Sequence, residues 1–163
     1  MGDPTLVAAD RPGNRIQIRD LGLEDLAQVV RIDSGHTGVA KPTYWTAIFE
    51  SFVGSAHRPT RVGLGAKDGG ELVGYLLGEV RAFEFGSEPC GWIFAVGVDP
   101  DHQRAGIATD LVRLARHRFQ SLGVSKVRTM VERTDIPLMT FFRSNGFVGG
   151  TFYQLEMDLE EAG

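Results

Sequence analysis

The chain has 163 residues, 42% of them hydrophobic and 23% charged, with a formal net charge of −4 at pH 7. That is enough for one domain with a sizeable core in a globular protein, and too acidic for a surface whose main task is nucleic acid binding. Cys90 is the single cysteine, so an intrachain disulfide is excluded and a reducing cytoplasm is the expected setting; no apolar run approaches membrane-spanning length, and His36, His57, His102 and His117 show no paired metal spacing.

Residues 1–14 carry Pro4, Pro12 and Gly13 without periodicity and read as a loose tail, lacking the basic and apolar regions of a signal peptide and the myristoylation pattern. Residues 15–163 read as a single domain. Arg15 to Arg19 alternates as a strand does. Leu23, Leu26, Val29, Val30 and Ile32 fall near helical spacing until Gly35 and Gly38 break the pattern. Pro42 to Phe52 reads as a second helix with Tyr44, Trp45, Ile48, Phe49 and Phe52 at its apolar positions. These aromatics fit a core, and an apolar acceptor pocket is the other reading. Arg61 to Lys67 and Glu71 to Phe85 form two strands around a tight turn at Asp68-Gly69-Gly70. The glycines of Gly63-Leu64-Gly65 sit inside a strand, so they are no nucleotide fingerprint. Ile93 to Val98 is a strand, and Ile107, Leu111, Leu114, Ala115 and Leu122 define one face of a helix. Lys126 to Glu132 reads as a strand, Ile136 to Arg143 as a short helix and Phe147 to Leu159 as strand-like.

The densest information lies in Val96-Gly97-Val98-Asp99-Pro100-Asp101-His102-Gln103-Arg104-Ala105-Gly106-Ile107-Ala108-Thr109: an apolar strand, a polar turn, then a glycine heading an amphipathic helix. Such a turn leaves backbone N–H groups unpaired at the positive end of a helix dipole and makes an anion site. No carboxylate lies between Gln103 and Thr109, where Asp and Glu normally favour a first turn; Arg104 stands there instead. Gly106 lets the backbone approach a bulky ligand. A phosphorylated ligand is the expectation.

Gln103-Arg104-Ala105-Gly106-Ile107-Ala108 resembles the Gln/Arg-x-x-Gly-x-Gly/Ala signature of the GNAT N-acetyltransferase superfamily, in which this loop wraps the pyrophosphate of acetyl-coenzyme A. Asp135 to Phe147, ending in Gly146-Phe147, stands where that superfamily reads Asn-x-x-Ala-x-x-Leu-Tyr-x-x-x-Gly-Phe. The resemblance implies an α/β fold of the α+β type: a mixed, mostly antiparallel sheet of six to seven strands with splayed central strands, flanked by about four helices. It also implies that the pantetheine arm lies along Val96, Gly97 and Val98 like an added strand. Gln103, Arg104, Ala105, Gly106, Ile107, Ala108 and Thr109 would then hold the pyrophosphate, chiefly through N–H groups. An arginine among Arg113, Arg116 and Arg118 reaching the cofactor's 3′-phosphate is a weaker expectation than their complementing the helix dipole.

Departures from the pattern fall at the chemistry. Phe142 stands where many relatives have the tyrosine that protonates the leaving thiolate, and phenylalanine has no proton to give. With a thiol pKa of about 8.5, as in cysteine, the thiolate leaves well enough for water to serve. Asp135 replaces an asparagine that contacts pantetheine in relatives, and its likelier task is to cap the helix at Ile136-Pro137. Trp92 occupies the position of a frequent glutamate base. Glu132 is the candidate base, two residues beyond Met130 and therefore on its strand face; its plainer reading is a solvated strand end, and Glu79, Glu84 and Glu88 stay open. Cys90 as an acyl carrier is less favoured than direct transfer. The expected activity is acetyl transfer from acetyl-coenzyme A to a primary amine of a small molecule or protein, with no metal, nucleic acid or membrane partner. The alternative is a non-catalytic acyl-coenzyme A sensor, and homodimers are common among relatives.

Overall fold

The computed structural model describes residues 15–53, 60–82, 84–103 and 105–160. They fall in two compact units, Met1–Met130 and Val131–Gly163. The expected tail at 1–14 and the expected pyrophosphate contact Arg104 lie outside the described residues.

The first unit is built on a five-stranded sheet whose strands follow chain order: β1 (Ile16–Asp20), β2 (Arg61–Asp68), β3 (Glu71–Arg81), β4 (Cys90–Val98) and β5 (Val127–Thr129). The first four pair antiparallel and β5 joins β4 in parallel. The β2–β3 hairpin closes at Gly69 and Gly70 with φ of 56° and 92°, a conformation that side-chain-bearing residues resist. Helices α1 (Leu26–Thr37) and α2 (Pro42–Ile48) cover one face of the sheet, and α2 runs on into a π-helical turn at Phe49–Val53. Val29, Ile32, Trp45, Phe49, Phe52, Leu72, Tyr75 and Leu77 form the core between them. The core reading of the aromatics in α2 therefore holds for Trp45, Phe49 and Phe52, while Tyr44 is exposed.

Helix α3 (Ile107–Ser121) covers the opposite face, and glycines let it settle close. A Cβ at Gly74 would meet Ile107 at 3.0 Å, and one at Gly78 or Gly91 would meet the Phe119 ring at 2.8 or 2.7 Å. Phe119 and Leu111 are fully buried there, each worth about 1.5–3 kcal/mol of apolar burial.

The second unit holds α4 (Ile136–Ser144). Asp135 caps it, accepting from Leu138 N at 3.1 Å, as its sequence suggested. At the other end Gly146, with φ of 89°, donates to Arg143 O, and Phe147 N donates to Phe142 O at 3.1 Å. This is a Schellman cap, and its hydrophobic contact is Phe147 edge-on to Phe142, 5.0 Å between ring centres. The Gly-Phe pair thus has a local structural reason.

Several expectations need correction. Gly35 lies inside α1, which runs to Thr37 and closes at Gly38, and β3 stops at Arg81 rather than Phe85. The strand expected over 126–132 covers only Val127–Thr129. Residues 147–159, though alternating from Tyr153 to Leu159, form no strand: their own unit has no second strand to pair with, and Tyr153 stands 94% exposed. The described sheet therefore has five strands where six or seven were expected.

Candidate active site

The site starts from a register shift. On β3, Leu77 pairs with Ala95 and Gly78 with Ile93, so Phe94 is one residue too many on β4. Such a bulge puts two neighbours on one face, and both Phe94 and Ala95 pack toward the core under α1 and α2. It also shifts the alternation of backbone groups by one. Asp99 N donates to Val73 O at 2.7 Å, which directs the odd-numbered groups of this stretch to β3 and those of Val96 and Val98 to the other edge.

That edge is open. Pairing with β5 ends at Ile93 and Thr129, where Thr129 Oγ1 donates to Ile93 O at 2.9 Å. Beyond this point β5 ends, and among the described residues no strand pairs with the outward groups of Val96 and Val98. His36, from α1, reaches Val98 O with Nε2 at 2.6 Å. A carbonyl only accepts, so Nε2 carries the hydrogen. Arg31 of the same helix donates to Asp99 Oδ2 at 2.6 Å, and Asp99 Oδ1 accepts from Asp101 N. Arg31 first, then that backbone N–H, hold the Asp99 carboxyl below its ordinary value. Two ties from α1 thus fix the corner where β4 turns into the loop. Nothing in the sequence signalled them, since 62 and 68 residues separate the partners.

The loop runs through a 3-10 turn at Pro100–His102 to Gly106, the N-cap of α3, at φ 76°. Among the described residues no side chain makes a cap hydrogen bond at Gly106, so the dipole end of α3 presents backbone N–H groups. Gln103 and Ala105 are exposed; Ile107 is buried, leaving its backbone rather than its side chain to serve a ligand; Ala108 is half-buried and Thr109 exposed. Asp110, the one acid of this first turn, is paired with Arg113, and Arg118 with Asp20 at 3.1 Å. An open strand edge continuous with an uncapped, uncompensated helix N-terminus fits an elongated molecule with an anionic group at one end.

Tyr75 crosses the inner face of this edge. A Cβ on Gly97 would lie 2.8–2.9 Å from its ring and hydroxyl, so only glycine fits beneath it. Burial first, then the negative charge of Asp33, push the Tyr75 hydroxyl well above the usual tyrosine range and keep it protonated. Asp33 in turn accepts from Trp45 Nε1 at 3.0 Å and pairs with Lys41 at 3.3 Å.

Of the remaining expected residues, Glu132, Asp135 and Phe142 belong to the second unit. Glu132 sits in an exposed turn before α4, accepting from Thr134 Oγ1 at 3.1 Å, and no strand carries it. Asp135 is the helix cap, and Phe142 is buried against Phe141 and Phe147. Cys90 is buried, its Sγ accepting from Arg128 Nη1 at 3.3 Å. Among the described residues no group of three or more His, Cys, Asp or Glu could hold a metal, and no helix is long and apolar enough to cross a membrane.

Comparison with known proteins bears on the same stretch. A mycothiol acetyltransferase of Saccharomonospora viridis is 31% identical over 81 residues, 48% of this chain and 26% of its own. The chain thus spans about a quarter of the length of that curated relative. Among solved structures, an aminoglycoside N-acetyltransferase in complex with CoA superposes with a TM-score of 0.77 at 14% identity, over 90% of this chain and 97% of its own. A transcriptional regulator from Bacillus halodurans C-125 does so with a TM-score of 0.73 at 20% identity, over 88% and 99%. These likenesses establish the fold. The profile of the Acetyltransferase (GNAT) family matches residues 26–147, which takes in the open edge, the loop and the Gly-Phe cap, and the chain belongs to that family.

Proposed function

We propose that this protein is an acetyltransferase that moves an acetyl group from acetyl-coenzyme A to a primary amine by direct attack in a ternary complex. The observation that carries the reading is the bulged β4, whose Val96 and Val98 groups face an open edge leading straight into the uncapped N-terminus of α3. When bound, acetyl-coenzyme A supplies an acetyl thioester whose carbonyl carbon is the electrophile. The chain's part is to hold and orient it. Val96 N–H and C=O and the Val98 N–H offer hydrogen-bonding groups to the pantetheine arm, the Val98 carbonyl being held by His36, and N–H groups of this stretch polarise the carbonyl in the manner of an oxyanion hole. Gly106, Ile107, Ala108 and Thr109 offer backbone to the pyrophosphate, with Gln103, Arg104 and Ala105 completing the loop. The acceptor amine, with a lysine-like pKa of about 10.4, must lose a proton before it attacks. Glu132 is the sequence-based candidate for that proton, and water serves the leaving thiolate because Phe142 carries no donor. A single buried cysteine suits a cytoplasmic setting.

The test is acetyl transfer from radiolabelled acetyl-coenzyme A to a panel of amines and peptides, with cofactor binding measured alongside by calorimetry. Transfer to at least one amine is expected. Tight binding without turnover on any acceptor makes the chain a cofactor sensor, and failure to bind coenzyme A removes both readings.

A further inference from the structure

Tyr75 carries a polar group that neither the core nor the proposed chemistry uses. It stands directly opposite Gly97 on β4, between the two residues whose outward groups face the open edge. Its side chain is spent on crossing that strand. The atoms nearest to a Cβ on Gly97 would be Cε1 at 2.8 Å and Cζ and Oη at 2.9 Å, the far end of the ring. The hydroxyl end therefore lies over β4 where the other side of that strand is unpaired, on the face covered by α1 and α2. His36 of α1 meets the oxygen of Val98, the next residue along, so two side chains flank the same stretch of edge. Trp45 stands edge-on to the Tyr75 ring at 5.6 Å, and only 3% of the residue is exposed. Yet among the described residues no group hydrogen-bonds its hydroxyl. A phenol buried this far normally has a partner, and leaving it without one is costly.

The state of this hydroxyl restricts its use. Burial first, then the charge of Asp33, hold it protonated. That argues against the role left vacant at Phe142: a phenol kept well above the usual tyrosine range does not surrender its proton to a thiolate whose acid has a pKa of about 8.5. What it can do is donate without transfer. A ligand lying along Val96 and Val98 as an added strand brings amide carbonyls to this edge. A carbonyl has two lone pairs, so one that faces β4 can also accept from a side chain above it. We propose that Tyr75 is a cofactor-binding residue whose hydroxyl hydrogen-bonds an amide carbonyl of the pantetheine arm. The free protein then keeps that hydroxyl without a partner until the arm arrives, and the cost of the orphaned group is recovered only on binding. A ligand with the arm is favoured over one with the phosphates alone. The assignment rests on the donor-site reading and adds to it a side chain from β3 that lies outside the sequence motifs.

Two probes test it on the full chain: coenzyme A, and adenosine 3′-phosphate 5′-diphosphate, which keeps the phosphates and lacks the arm. By calorimetry, Tyr75→Phe is expected to bind coenzyme A about three- to tenfold more weakly than the parent, the worth of one neutral hydrogen bond. It binds the armless nucleotide equally well. Urea denaturation shows the free variant as stable as the parent or more so, because phenylalanine orphans no polar group. In acetyl transfer its KM for acetyl-coenzyme A rises by a similar factor, while kcat and its pH profile are unchanged. The unaltered chain gives an independent reading. It has three tyrosines, and with carbon-13 at Cζ the lines of Tyr44 and Tyr153 are assigned by Tyr44→Phe and Tyr153→Phe. The third line, from Tyr75, shifts when coenzyme A is added and not with the armless nucleotide. Undiminished coenzyme A binding by Tyr75→Phe, equal losses on both probes, a Tyr75 line indifferent to coenzyme A, or a fall in kcat with an altered pH profile overturns the proposal. A parent chain that binds no coenzyme A removes the donor site and this assignment together. Parent and Tyr75→Phe binding it alike removes this assignment alone.

Discussion

Replacing Thr109 with aspartate sets two consequences of one helix end against each other. Thr109 is the exposed third residue of α3, whose N-terminus no side chain caps. For the free protein a carboxylate there is favourable: it answers the helix dipole and offers an acceptor to a first-turn N–H, together worth about 0.3–1 kcal/mol. For a pyrophosphate on the same helix end it is unfavourable. Two phosphate charges about 6 Å from the new carboxylate, at an effective dielectric of about 40–80, give a repulsion of roughly 1.4–2.8 kcal/mol. That weakens coenzyme A about ten- to a hundredfold. Urea denaturation of the free protein reads the first effect and calorimetric titration with coenzyme A the second. Thr109→Asn, similar in shape and uncharged, separates charge from lost hydroxyl. The repulsion also shrinks in 0.5 M salt, where screening is shorter than the contact. A stabilised Thr109→Asp that binds coenzyme A as tightly as the parent, at low salt, refutes the placement of the anion.

Other outcomes follow from the same geometry. Arg113→Gln unmasks Asp110 in that first turn, so it too weakens coenzyme A severalfold and in a salt-dependent way. Gly91→Ala drives a Cβ to within 2.8 Å of a fully buried ring, Phe119; it costs about 1–3 kcal/mol in chemical denaturation, partly recovered by Phe119→Leu. Gly146→Ala meets no steric obstacle yet must hold φ near 89°. It loses about 1 kcal/mol from the α4 cap, seen as earlier amide exchange in that helix. Asp99 has a lowered folded pKa, so its contribution is present above the unfolded value near 3.8 and is lost as pH falls through the folded value. The stability gap between the parent and Asp99→Asn is therefore constant above about pH 5 and closes progressively below pH 4.

What could be read from the chain and what could not divide along physical lines. The hairpin at Gly69-Gly70, the glycine turn at Gly106 that opens α3 and the cap at Asp135 are local: each depends on a turn conformation or a side chain within a few residues. The bulge was invisible, because Phe94 and Ala95 are both apolar and an apolar run shows no break in alternation where the ladder skips a residue. So were the ties from Arg31 and His36 to the strand end, which join distant segments. Glu79 was one open glutamate among three in the sequence; only the register that sets it beside Trp92 gives it company. The alternation from Tyr153 to Leu159 shows the opposite failure, a correct local pattern without a paired neighbour in its unit.

The central claim is that the open edge of β4 and the uncapped end of α3 together form the donor site. Residue-resolved amide hydrogen exchange, with and without coenzyme A, tests it most directly. The amides of Val96, Val98, Ile107, Ala108 and Thr109 are expected to gain protection on binding, while those of Ile18, Leu64 and Leu76 deep in the sheet do not change. Coenzyme A bound with the amides of Val96 and Val98 and the first turn of α3 unchanged would contradict it.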